Sequence, residues 1–190
     1  MVGGRHAARL VKAIELVDDA NGQDPRGREL VYGQRMSARL AAHQPGASAA
    51  LQVACRAQHI RRWEIPRDRY PEGRTGYKQW RAELARRHGD YAAAIAVEAG
   101  FDRTFAERVS ELVRKLGLAT DPEVQVLEDV ACLVFLEHYL GDFAARHPRD
   151  KVVDVIAKTA RKMSARGLEA VGQLELSPAL VRLIGEAKMR

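Results

Sequence analysis

Residues 124–140 read VQVLEDVACLVFLEHYL. Apolar side chains occupy nearly the whole circumference at helical pitch, the pattern of a helix covered on most sides. The run is shorter than the roughly 20 apolar residues that span a bilayer, so it reads as the centre of a helical core. Asp121, Pro122 and Glu123 mark its start: a capping carboxylate, then proline in the first turn. Asp129 shares its face with Val126, Leu133 and Leu136, which should bury it. A buried carboxylate needs a partner or a metal. Glu128 and Glu137 interrupt the same apolar surroundings.

Outward from this run the helical period recurs. The spacing predicts helices over 6–20, 28–42 and 49–64, the last with Ser48 as N-cap, then 77–88 and 91–99, separated by a break at Gly89-Asp90. Asp102 opens another that Gly117 ends. Beyond His147-Pro148 a helix through Val152, Ile156 and Met163 is ended by Gly167, and a short tail helix follows Ser177-Pro178. No stretch alternates with the strand period, repeats, or falls to low complexity. The chain therefore reads as all-α, a single compact multi-helix domain over 1–190 with an arginine-rich Pro/Gly loop at 65–76.

The chain has 190 residues, 46% of them hydrophobic, enough for one domain with a substantial core. A net charge of +6 over 25 acidic residues is a moderate basic excess that favours an anionic small molecule as ligand and leaves nucleic acid open as a partner. Aromatics total only 6%, few for a stacking nucleic-acid groove. Two cysteines, Cys55 and Cys132, lie in apolar helical runs where thiols act as small hydrophobes. A reducing cytoplasm fits them, no export leader or membrane span is read, and a homo-oligomer is compatible with the composition. No Gly-rich phosphate loop, dinucleotide fingerprint or nucleophile elbow occurs.

Charge and aromatics concentrate at 55–77, CRAQHIRRWEIPRDRYPEGRTGY. Arg61, Arg62, Arg67 and Arg74 can form a fork-like receptor for phosphate or carboxylate, with Trp63, Tyr70, Tyr77 and Trp80 offering stacking faces. The bland reading is a solvated basic surface over core aromatics, with arginines of the 56–74 stretch pairing Glu128, Asp129 and Glu137 as structural ion pairs. His59 emerges inside the protein or at a site's mouth, and is either a satisfied core histidine or a metal ligand. His43, His88, His138 and His147 lie near predicted helix ends and carry weaker claims. No local spacing spells a zinc site.

The segments VYGQRMS, QHIRRWEIPRDRYPEGRTGYKQWR and LEDVACLVFLEHYLGDF resemble the signature blocks of domain of unknown function 4202, over nearly the whole chain. More distantly, the order of elements is similar to the HD (His-Asp) superfamily of helical metal-dependent phosphohydrolases, in which two histidines and two aspartates hold metal. On that resemblance the fold is HD-like, and His59 and Asp129 stand as remnant metal ligands for a divalent metal. Tyr32 takes the place of the first histidine and Ile60 that of the paired aspartate. Glu64 and Glu128 are the carboxylates offered to complete a rearranged catalytic site. The function implied is metal-dependent hydrolysis of a phosphorylated small molecule or nucleotide. The alternative is a non-catalytic binding or regulatory module that uses the same basic site for an anion.

Overall fold

The structure, a computed structural model, describes residues 2–187, with side chains from residue 4. Residue 1 and residues 188–190 of the expected domain lie outside the described residues. Every regular element among the described residues is helical, as the periodicity predicts. The helices group into two compact units, Met1–Gly117 and Leu118–Arg190.

In the first unit, α1 (Val2–Gly22), α2 (Arg28–His43) and α3 (Ala49–Arg56) are followed by two 3-10 turns, Arg62–Glu64 and Arg67–Arg69. Then come α4 (Gly73–Glu98) and α5 (Arg103–Arg114). α4 and α5 pack along each other, α3 lies against α5 with α2 beside it, and α1 touches α2, α3 and α4. Helix starts follow local chemistry. Ser48 Oγ accepts from the Leu51 amide at 3.1 Å, and Asp102 Oδ1 from the Phe105 amide at 2.9 Å. Asp24, buried in the α1–α2 turn, accepts from the amides of Arg26, Arg28 and Glu29, and so satisfies the donors that open α2. Leu51, Ile60, Leu84 and Leu112 are fully buried, each stabilising the fold by about 1.5–3 kcal/mol.

Two expectations change here. The helix expected over 49–64 stops at Arg56; residues 57–61 continue as tight turns closed by bonds such as Ile60 N to Ala57 O at 2.9 Å. Arg61 then adopts left-handed φ of 52°, held by its amide donating to the buried Asn21 Oδ1 at 3.1 Å. The break expected at Gly89 does not occur, because α4 runs on unbroken to Glu98. Gly89 is where α5 comes closest: a Cβ there would stand 2.7 Å from Ser110 Oγ and 2.8 Å from Arg114. A glycine in a helix was needed for packing, and its cost of about 1 kcal/mol relative to alanine is outweighed by that contact.

The second unit holds α6 (Pro122–His138), α7 (Leu140–Arg146), α8 (Arg149–Ala160), α9 (Ala165–Val171) and α10 (Pro178–Ala187). α6 packs on α7 and α9, and α8 on α7 and α10. Asp121 caps α6 through the amides of Glu123 and Val124, as the sequence predicts. α6 ends earlier than the expected 140, because Tyr139 leaves helical geometry at φ −125° and begins α7. Gly167 lies inside α9 instead of ending a helix. Leu133, Leu136, Ile156, Met163 and Ile184 belong to this unit's core, which keeps an apolar cavity of about 40 Å³. Among the described residues no helix is long and apolar enough to cross a membrane.

Candidate functional site

The first turn of α2 carries Glu29 and Tyr32, three residues apart and therefore neighbours on one helix face. Gly33 lets that turn approach the end of α3, since a Cβ there would stand 2.8 Å from the Arg56 carbonyl oxygen. This close approach brings Tyr32 flat against His59, with ring centroids 3.7 Å apart and planes within 9°. His59 Nδ1 lies 3.4 Å from Glu29 Oε2, and the His88 ring from α4 lies 6.3 Å from His59. Arg62 stacks its guanidinium over Trp80, 4.6 Å from the ring centroid.

Two of these groups bury nitrogen atoms without well-formed hydrogen bonds. His88 is 4% exposed, and neither ring nitrogen makes a well-formed hydrogen bond; the Ile60 carbonyl lies close enough only to favour the protonated ring. Arg62 Nη1 is likewise buried without an acceptor. An orphaned buried donor costs about 1–3 kcal/mol, more when charged.

Electrostatics follow from burial plus one sign of charge. Burial, then Arg62, push His88 down to about 3, with Arg81 adding to the effect. Burial, then Arg62, His88, Arg81 and Lys115, hold His59 well below the usual histidine range. His59 is closely enclosed, yet 24% of its side-chain surface still meets water, so ligand access and desolvation coexist there. Burial raises Glu29 to about 7 against the opposing pull of Arg62 and Arg28, and Asp24 adds to the rise. Burial and Arg81 also lower Arg62, while Glu29 favours its charge. Near neutral pH the cluster thus offers a guanidinium, two neutral imidazoles and a carboxyl able to give or take a proton.

The other sequence-derived candidates are occupied differently. Arg61 Nε lies 2.7 Å from Glu64 Oε1, though not aligned as a hydrogen bond, and its guanidinium sits 5.2 Å from the Tyr91 ring centroid. Tyr91 Oη donates to Glu64 Oε2 at 2.9 Å. Arg67 donates to the carbonyls of Tyr70 and Pro71, both at 2.9 Å, and Trp80 Nε1 to that of Ile65 at 2.8 Å. These bonds pin the loop to α4. Arg74 is exposed at the start of α4, and Trp63 and Tyr70 are half-buried beside the loop.

Asp129 and Glu128 belong to the second unit, His59 to the first. Asp129 accepts from the Ser164 amide at 2.8 Å, from Gln125 Nε2 at 3.0 Å and, in a very short bond, from Ser164 Oγ. Gly167 leaves room for it: a Cβ there would stand 2.6 Å from the carboxylate. Glu128 is buried with Cys132 Sγ 3.9 Å away and Lys162 Nζ 3.7 Å away. Among the described residues no group of three or more His, Cys, Asp and Glu side chains is placed to hold a metal ion. Burial pushes the Cys55 thiol up to about 12, which leaves it unreactive.

Sequence reasoning missed the prominence of Glu29, Arg81 and His88. His88 shares a helix face with the buried Leu84 and Ala92, four residues either side, but that signal is invisible if a helix is taken to break at Gly89.

A model of the family described as Domain of unknown function (DUF4202) matches residues 11–184. That match covers most of the chain, which belongs to this family. No curated protein and no solved structure matches it.

Proposed function

We propose that this member of the DUF4202 family binds an anionic small molecule, bearing a phosphate or carboxylate, at the Glu29–His59–Arg62–His88 cluster of its first unit. One observation carries the reading: Arg62 Nη1 and both His88 nitrogens are buried without a well-formed hydrogen bond. An anion between them would accept the donors that the fold leaves unmet, and a guanidinium matches phosphate or carboxylate geometry. Glu29, with its midpoint at about 7, would lend a proton to such a ligand or take one from it. We assign Arg61 and Arg67 to holding the loop, because their guanidinium groups already meet Glu64 and backbone carbonyls.

A second reading, metal-dependent hydrolysis on an HD-like site, has one supporting observation. Tyr32 and His59, the positions that the resemblance sets at the first histidine and the His-Asp pair, are in direct contact. It is the weaker reading, since Asp129 is engaged by Ser164 and Gln125, and Glu64 by Tyr91 and Arg61.

Thermal shift against orthophosphate, sulfate and small carboxylates tests the proposal. A ligand at about 100 times its dissociation constant adds roughly 2.7 kcal/mol of stability. The shift should appear in the wild type and be lost in Arg62→Gln and His88→Leu, both checked for native circular dichroism. No shift across the panel overturns the proposal. Stoichiometric metal in the purified protein that is lost in His59→Ala favours the second reading instead.

A further inference from the structure

α4 leads from solvent to His88. Arg74, Lys78 and Arg81 recur at positions i, i+4 and i+7, which sets them on one face of the helix, and His88 follows seven residues on along the same face. At 1.5 Å of rise per residue, Arg74 to Arg81 covers about 10 Å. All three cations are exposed, and among the described residues none of them pairs with a carboxylate. The contrast within the same helix is direct. Arg86 lies 2.7 Å from Glu83 and 2.9 Å from Asp90, and Arg87 lies 3.2 Å from Glu83. The later cations are neutralised locally and the earlier ones are not, although Glu72 and Glu83 are near them in sequence.

Arg81 connects the two regions. Its charge acts on Arg62, His59 and His88, so the inner end of the stripe reaches the cluster. The stripe also begins at the helix N-terminus, the end where the aligned peptide dipoles add positive potential.

We infer that the ligand is a linear polyanion, a condensed phosphate chain of three or more phosphates, with its terminal group at Arg62, whose guanidinium sits over Trp80, and the following groups along Arg81, Lys78 and Arg74. This rests on the reading of the inner cluster as an anion site and extends it. A lone phosphate or carboxylate would use the inner cluster and leave the stripe unneutralised. A chain with a charge on every phosphate meets a guanidinium or ammonium at each helical turn.

Such a chain exists as inorganic polyphosphate or as the tail of a nucleoside triphosphate, and calorimetry at fixed ionic strength separates these. The probes are orthophosphate, inorganic tripolyphosphate, a purine nucleoside triphosphate and a short single-stranded RNA. Tripolyphosphate should bind at least about tenfold tighter than orthophosphate, equivalent to about 1.4 kcal/mol. The double variant Arg74→Ser, Lys78→Ser, whose side chains are exposed, should fold as the wild type and lose that tenfold advantage while its orthophosphate affinity stays within about twofold. A nucleoside triphosphate that matches tripolyphosphate supports recognition of the chain alone; one that binds about tenfold tighter and also weakens in the double variant supports the nucleotide source. Orthophosphate binding with no gain for tripolyphosphate overturns this inference and leaves the inner site standing. A gain that survives the double variant, or RNA binding tighter than tripolyphosphate, also overturns it. Absence of binding by every probe overturns both.

Discussion

Asp129 of the second unit and the Arg62–His88 pair of the first are enclosed in opposite ways. In the second, Asp129 is 1% exposed and meets an amide, a hydroxyl and a side-chain amide within its own unit. In the first, His88 and the Nη1 of Arg62 are buried near His59 and under the charge of Arg81, and make no well-formed hydrogen bond there. Burial of a polar side chain therefore does not by itself mark a site. What separates the two cases is whether the protein supplies the partners or leaves them to something else.

The largest effect should come from the satisfied carboxylate. Asp129→Ala removes the acceptor of three donors and should destabilise the protein by about 3–5 kcal/mol in denaturant unfolding. A loss below about 1 kcal/mol would break the contrast. Asp129 would then not be the anchor of the turn into α9.

Glu29 comes next, with a signed pH dependence. Its carboxyl is raised from 4.5 to about 7, so the folded state holds a proton that the unfolded chain has released. Stability contributed by this group is present below pH 4.5 and lost as pH rises through about 7. Glu29→Gln should therefore be more stable than the wild type by roughly 2–3 kcal/mol at pH 8 and equal to it near pH 4. Equal stability at both pH values would show that Glu29 is solvated in the folded protein.

His88 gives the smaller effect under accessible conditions, with the opposite sign. Lowered from 6.5 to about 3, it stays neutral in the folded state while the unfolded chain takes up a proton. Its contribution is complete above pH 6.5 and declines as pH falls toward 3. His88→Leu, which also removes two buried nitrogens without well-formed hydrogen bonds, should match or exceed wild-type stability at pH 7. At pH 5 it should gain about a further 2 kcal/mol relative to the wild type. A destabilised His88→Leu at both pH values would mean that His88 has protein partners after all, and would remove the difference between the two units.

Much of the fold was legible beforehand, through features that act locally. Asp121, Ser48 and Asp102 cap helices within three residues of themselves, and period alone places α1, α2, α5 and α6. The misplacements share a cause in long-range packing. Gly89 reads as a break until α5 is seen against it, and Gly167 reads as a terminator until Asp129 is seen beneath it. The left-handed turn at Arg61, beyond the end of α3, is held by Asn21, forty residues away.

For the site the division is sharper. The sequence alone determined an all-α chain of this family, the burial of Asp129, and the concentration of arginine and aromatic residues around His59 at positions 55–77. Those properties follow from periodicity and composition, which act over one or two helical turns. Only the tertiary structure decided that Asp129 is satisfied, that Arg61 and Arg67 hold the loop, and that Glu29 and His88 join His59 and Arg62. Whether a buried donor meets an acceptor depends on ångström distances between segments far apart in the chain, and spacing along the chain does not encode them.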